Sequence, residues 1–291
     1  MKEIKGTGVA LITPFTDDGN VDVESLKKLV EHQINGGTDF LVIMGTTGES
    51  ATATSSEKQL IIDTIKGTNQ GRLPLVIGIG GNNTASVTEA IKSFDFSGFS
   101  ALLSVSPYYN KPNQEGIYHH YMAVADASPV PVILYNVPGR TGSSVSAKTT
   151  LRLAQHSNIV ATKEASGNFD QIMEIIRDKP EGFLVLSGDD NLTLPFISMG
   201  MDGVISVICN AYPKEFSSMV GDALNNDYAS SRANHYKLLG MINLIFEDGS
   251  PGGIKVALNE MGICQNVVRQ PLHIVNKDLE SRIRKEVNFM S

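Results

Sequence analysis

A (β/α)₈ barrel is the fold this sequence predicts, and three observations carry it. Eight short runs rich in Val, Ile and Leu recur along the chain, at 8–15, 40–45, 73–80, 101–107, 130–138, 159–166, 183–190 and 203–210. Most are continuously apolar, as strands of a parallel sheet covered by helices are. Amphipathic stretches of helical period lie between them, so strand and helix alternate in the order a barrel of this type needs. An open doubly wound sheet is the alternative. It usually has fewer strands and a glycine-rich first turn, whereas the first run here continues into "TPFTDDGN" (13–20).

The helical stretches carry their own start and stop signals. "VESLKKLVEHQINGG" (23–37) places Leu26, Leu29, Val30 and Ile34 on one stripe and ends at a glycine pair. "SSEKQLIIDTIKG" (55–67) and "TASVTEAIKSF" (84–94) begin with hydroxyl residues suited to capping. From about residue 225 the strand pattern stops. Three helical segments follow (228–248, 253–262 and 276–290), with "GSPGG" (249–253) as a turn. The expected organisation is a barrel over 1–224 and a C-terminal helical domain over 225–291.

Net charge is −7, and no basic block or stripe interrupts it, which argues against nucleic acid and anionic membrane surfaces as partners. No stretch approaches the roughly 18 uninterrupted apolar residues of a membrane span, and the opening "MKEIKGTGVALITPF" has no export-type apolar region. Cys209 and Cys264 lie far apart with no CxxC pattern. A cytoplasmic protein with reduced, buried thiols is expected.

In such a barrel, chemistry gathers at the C-terminal ends of the strands. The sixth run, "IVATKEAS" (159–166), contains a lysine, Lys163, where burial is expected. Desolvating an unpaired ammonium is costly, so Lys163 either pairs with a carboxylate or sheds its proton and acts as a nucleophile. Glu164 alternates to the opposite face and is assigned to supporting the barrel. The second run leads into "GTTGES" (45–50), where two glycines and the hydroxyls of Thr46 and Thr47 can cradle a small carboxylate or phosphate. A plain turn before a helix is the other reading.

The fifth run leads into "YNVPGRTG" (135–142), which offers the Tyr135 phenol and the Arg140 guanidinium, the latter suited to clamping a carboxylate. "SPYYNKP" (106–112) puts Tyr108 and Tyr109 in a loop. Asp189 and Asp190 in "SGDD" (187–190) read as helix caps, with metal ligation as the alternative. HxH and HExxH are absent, and His119 and His120 are adjacent, so metal-dependent chemistry has little support. A lysine facing a carboxylate cradle, a phenol and an arginine points to imine chemistry on a small 2-oxo acid, with no organic cofactor or metal.

Six segments, "GTTGES", "SPYYNKPNQEG" (106–116), "YNVPGRTG", "TKEASGN" (162–168), "SGDD" and "GVISV" (203–207), occur in one order along the chain. Together they resemble the 4-hydroxy-tetrahydrodipicolinate synthase (dihydrodipicolinate synthase) family of the N-acetylneuraminate lyase superfamily. The resemblance implies a barrel with a C-terminal helical domain, assembled as a homotetramer of tight dimers. It implies that Lys163 forms a Schiff base with pyruvate, Tyr135 is the acid/base, and Thr46 links it to Tyr109 of a neighbouring subunit. It further implies that Thr47 and Ile205 hold pyruvate, Gly188 lines the pocket, and Arg140 binds the carboxylate of L-aspartate 4-semialdehyde. The reaction would be the first committed step towards diaminopimelate and lysine. The arginine of "YNVPGRTG" and the double tyrosine favour this over a sugar-acid aldolase or neuraminate lyase, and the filled catalytic positions disfavour a non-catalytic 2-oxo-acid-binding barrel.

Two departures from the family pattern stand out. Lysine-inhibited relatives use histidines and a glutamate where this chain has Ser55, Lys58 and Ser86, while Ser50, Ala51, Asn82 and Tyr108 match that allosteric pocket. A second cation at Lys58 and the missing counter-charge lead to the expectation of weak or no lysine inhibition. The other departure is "GSPGGIKVAL" (249–258), where many relatives have an Asn-Pro-x-Pro segment.

Overall fold

Seven of the eight apolar runs contain a strand, and the first overlaps one that begins two residues before it. The structure, a computed structural model, describes residues 4–290. Its strands are β1 (Gly6–Ala10), β2 (Phe40–Ile43), β3 (Leu75–Gly78), β4 (Ala101–Val105), β5 (Val132–Asn136), β6 (Ile159–Glu164), β7 (Leu184–Ser187) and β8 (Gly203–Ser206). All neighbours pair in parallel in chain order, and β8 returns to β1, closing the barrel. At that seam Gly203 has φ +151°, and a Cβ there would lie 2.1 Å from the Gly6 carbonyl oxygen, so only glycine lets the two strands meet.

The strands are shorter than the apolar runs, chiefly at their C-terminal ends. Leu11, Ile12 and Phe15 follow β1 and are as buried as the strand itself, yet they belong to a connection. Hydrophobicity reports burial, and here the connections at the barrel mouth are buried too. Ile12 N–H, which has no strand partner, donates instead to Asn210 Oδ1 at 3.1 Å.

The helices α1 (Val23–Asn35), α2 (Ser55–Asn69), α3 (Thr84–Ser93), α4 (Gln114–Ala127), α5 (Pro138–Thr141), α6 (Ala147–Leu153), α7 (Phe169–Asp178), α8 (Thr193–Ser198) and α9 (Pro213–Leu224) accompany the barrel. Leu26, Leu29 and Val30 of α1 are buried as the stripe requires, while Ile34 is half-buried. The caps of α2 and α3 fall one residue earlier than the sequence reading placed them. Thr54 forms a reciprocal capping box with Glu57, and Asn83 accepts from Ser86 N–H. Three further helices follow: α10 (Tyr228–Glu247), α11 (Gly252–Glu260) and α12 (Lys277–Met290).

Two buried layers result. Inside the barrel, Phe40, Val42, Val76, Leu103, Ile133, Tyr135, Ala161, Leu186 and Ile205 pack together. Between barrel and helices lies a larger layer that runs on into α10–α12 through Leu238, Met241, Val256, Leu279 and Ile283. Cys209 and Cys264 are free and buried, and burial raises both thiols, to about 12 and about 11. No helix among the described residues is long and apolar enough to cross a membrane.

Candidate active site

Strand period decides which polar side chains enter the barrel. In β5, Ile133 and Tyr135 share the inner face, and in β6 Ala161 and Lys163 do. Tyr135 and Lys163 are direct register partners, and the Lys163 amine lies 4.4 Å from the centroid of the Tyr135 ring. Lys163 is 5% exposed. Among the described residues its amine makes no hydrogen bond and no ion pair; it lies over the ring face and within electrostatic reach of the Asp189 and Asp190 carboxylates.

The second buried lysine shows what pairing looks like in this fold. Lys255 is fully buried, and its amine contacts Glu49 Oε1 at 2.5 Å and donates to the Val267 carbonyl at 2.7 Å. The contrast settles how Lys163 differs: it is held in the interior without the partner a structural lysine requires.

Glu164 alternates outward and is fully buried behind the strand. Its carboxylate accepts from Asn136 Nδ2 at 3.0 Å, Ser166 N–H at 2.9 Å and Gln171 Nε2 at 3.2 Å. Burial raises its pKa, against those bonds. Asn136 in turn accepts from Val145 N–H at 2.9 Å, which fixes the chain leaving the barrel mouth. Tyr121 of α4, which no motif indicated, hydrogen-bonds to the Ser104 carbonyl at 3.0 Å and lies 3.4 Å from Tyr135 N–H. It braces β4 and β5 from behind.

Gly188 closes the site on the β7 side. A Cβ there would lie 2.6 Å from the Ala165 Cβ and 3.1 Å from Lys163 Cε. Gly188→Ala is therefore expected to displace the lysine stem and lower turnover about 100-fold, as a misplaced reacting atom does. Steady-state rates beside a thermal unfolding curve check this; a folded variant of unchanged rate would contradict it.

The two aspartates after Gly188 correct the sequence reading, because neither side chain caps the helix that follows. Asp190, fully buried, accepts from Val207 N–H at 3.1 Å and Ile208 N–H at 2.8 Å, capping the turn after β8 instead. Burial lifts it to about 6 despite these bonds. Asp189 has one buried carboxylate oxygen without a partner, and burial raises it against the pull of the Lys163 charge. Among the described residues no three His, Cys, Asp or Glu side chains gather to hold a metal.

"GTTGES" forms a 3₁₀ turn over Thr46–Gly48, with Glu49 at φ +52°. Thr47 is buried and Thr46 is exposed. The amides of Gly48 and Glu49 close the turn at 3.1 Å each, while among the described residues those of Thr46 and Thr47 find no acceptor. Free successive amides beside a hydroxyl are what a carboxylate cradle needs. No hydrogen bond joins Thr46 to Tyr135 among the described residues.

The remaining candidates lie on the rim or apart. Ile205 is buried on the inner face of β8. Arg140 is exposed on the single turn of α5, with no ion pair among the described residues. Tyr109 is 87% exposed at φ +72°, and its N–H reaches the Thr141 carbonyl at 3.4 Å, joining its loop to that of Arg140. Asn82 donates to the Tyr108 carbonyl at 3.2 Å. Asn82 and Ser86 line a crevice of about 270 Å³ at the start of α3; Ser50, Ala51, Lys58 and Tyr108 do not line it. The structure thus gathers Lys163, Tyr135, Gly188 and Ile205 inside the barrel and leaves Thr46, Arg140 and Tyr109 at its edge.

Fold and site together define a class: a (β/α)₈-barrel enzyme with an unpaired, nearly buried amine facing a phenol at the C-terminal mouth of its strands. The chain belongs to the dihydrodipicolinate synthetase family, whose model matches residues 3–289. It is 55% identical over 284 residues to the 4-hydroxy-tetrahydrodipicolinate synthase of Flavobacterium psychrophilum, covering 97% of each chain. Among solved structures it resembles dihydrodipicolinate synthase from Thermotoga maritima, with TM-score 0.96, 34% identity and 99% of each chain covered. It also resembles the enzyme from Cyanidioschyzon merolae, solved with lysine bound, with TM-score 0.93, 36% identity and 98% of each chain covered.

Proposed function

We propose that this chain condenses pyruvate with L-aspartate 4-semialdehyde to give 4-hydroxy-tetrahydrodipicolinate, the entry to diaminopimelate and lysine synthesis. The observation that carries the reading is the unpaired Lys163 amine, 5% exposed and 4.4 Å from the Tyr135 ring centroid. The amine attacks the pyruvate ketone, and the carbinolamine loses water once its oxygen is protonated. The imine then draws electrons from C3, which gives up a proton and attacks the aldehyde carbon. The semialdehyde's own amine next attacks the imine carbon, closing the ring and expelling the Lys163 amine. Tyr135 is assigned the proton transfers to and from the carbinolamine. The Thr47 amide and hydroxyl, with Ile205, hold pyruvate, and Gly188 leaves room for the lysine stem. No metal or organic cofactor is invoked, because the imine itself is the electron sink.

Two roles extend beyond one subunit. Thr46 relays protons from Tyr135 to Tyr109 of a neighbouring copy, in a homotetramer of tight dimers. The exposure and positive φ of Tyr109 support this, since a tyrosine held at φ +72° and 87% exposed is better explained by a docking role than by local packing. The barrel is assigned to 1–224 and the helical domain to 225–291.

Arg140 is assigned the carboxylate of the second substrate. Arg140→Ala is expected to raise KM for the semialdehyde about 10- to 100-fold while leaving pyruvate trapping on Lys163 intact, as loss of a charge-assisted contact does. Equal loss of both would remove the assignment. Lys58 is exposed on α2 and Ser86 on α3. With a cation added and a carboxylate missing, the initial rate at millimolar lysine is expected to stay within about twofold of the uninhibited rate. Inhibition at micromolar lysine would overturn this.

The whole reading is tested by coupling the reaction to the next reductase and following nicotinamide oxidation. Oxidation that requires both substrates supports it. No oxidation, with pyruvate trapping intact, would move the second substrate to a sugar-derived aldehyde.

A further inference from the structure

The carboxylate cradle is tethered from two directions. On the barrel side, Thr13 donates its hydroxyl to the Gly48 carbonyl at 2.7 Å. On the other side stands Glu49, which ends the turn in the left-handed region at φ +52°. Its side chain turns away from the barrel into the C-terminal helices. Oε1 contacts the Lys255 amine of α11 at 2.5 Å, and Oε2 accepts from Arg269 N–H at 2.8 Å. Both partners of the ion pair have fully buried side chains.

The chain just beyond the turn is pinned by the Arg269 guanidinium. It bonds to the Thr52 carbonyl at 3.2 Å, to the Gly19 carbonyl at 2.9 Å through Nε, and to the Glu57 carboxylate that caps α2. Lys255 and Arg269 both lie against the Phe15 ring, each 4.3 Å from its centroid. A buried pair of charges is a poor source of net stability compared with apolar residues of the same volume. Here it reaches, within three residues, the turn whose Thr46 and Thr47 amides find no acceptor among the described residues.

We infer that Glu49 and Lys255 are positioning residues for pyruvate: their buried ion pair fixes the Thr46–Glu49 turn from the C-terminal helices and sets the affinity for the 2-oxo-acid carboxylate. The inference rests on the proposed reading of that turn as the pyruvate cradle. It gives the C-terminal helices a part in catalysis, by holding a binding loop rather than by touching substrate.

The test reads pyruvate binding apart from chemistry. Borohydride trapping on Lys163 is measured against pyruvate concentration for the unaltered protein, for Glu49→Gln, and for the double variant Glu49→Ala/Lys255→Met, which leaves no unpaired buried charge. Half-saturation is expected to rise about 10- to 100-fold in each folded variant, with trapping at saturating pyruvate within about threefold of the unaltered protein. Arg284→Ala, which frees Glu260 and Glu280 within the same helical region, is expected to lower thermal stability with half-saturation unchanged. Folded variants with unchanged half-saturation would overturn the inference.

Should neither Glu49 variant fold, amide exchange on the unaltered protein decides. Pyruvate should slow exchange at Arg269, whose N–H is bound to Glu49, together with the Thr46–Glu49 turn, because the coupling is reciprocal. Slowing in the turn without slowing at Arg269 would also overturn it. Absence of trapping in the unaltered protein would instead remove the reading of the site on which the inference stands.

Discussion

Lys163→Ala is expected to lose the borohydride-stable pyruvyl adduct entirely and to lower turnover by about 10³-fold or more, the scale set by removing a covalent nucleophile. The expectation follows from geometry. The lysine is 5% exposed and forms no ion pair among the described residues, so its removal breaks no direct salt bridge, and the buried Asp189 and Asp190 lose only a longer-range opposite charge. The variant should therefore fold as the unaltered protein does, and loss of activity can be read as loss of chemistry. Trapping that persisted on another lysine would identify a different nucleophile. Lys255, paired with Glu49 and Val267, is not placed to serve as one.

Tyr135→Phe has the next largest expected effect, a fall in turnover of about 10²- to 10³-fold, within the range of a positioned acid/base. The substitution keeps the ring that faces the Lys163 amine at 4.4 Å and removes only the hydroxyl. That hydroxyl has no protein partner among the described residues, so its loss should cost under about 1 kcal/mol of stability. Imine formation should slow while pyruvate affinity changes little. Rapid-quench trapping against time separates the two, and a normal trapping rate would move the proton transfer elsewhere.

How much of this was legible in the sequence depends on the distance over which each feature acts. The strands were legible because both faces of a barrel strand are buried, which writes a continuous apolar run. Their ends were not, because Leu11, Ile12 and Phe15 are equally apolar in a connection that other segments cover. Lys163 and Tyr135 stood out as polar groups in apolar strands, whereas Ile205 is one apolar residue among many and was marked only by the family resemblance.

Contacts between distant segments were not legible. Glu49 and Lys255 are 206 residues apart, and Lys255 in "GGIKVALNE" reads as one charged residue among many. Asp190 sits where a local cap is the obvious reading, yet its acceptors are spent on Val207 and Ile208, at the end of the neighbouring strand β8 rather than on its own helix. Thr46 carried the same motif weight as Thr47, and only the turn geometry shows one exposed and the other buried.

The central claim is that Lys163 forms an imine with pyruvate. The most direct test treats the unaltered protein with pyruvate and borohydride, digests it, and locates the modified lysine by mass spectrometry. A reduced pyruvyl group on the peptide containing "ATKEAS", and on no other lysine, is the predicted result. An unmodified Lys163 after treatment with saturating pyruvate would contradict the account.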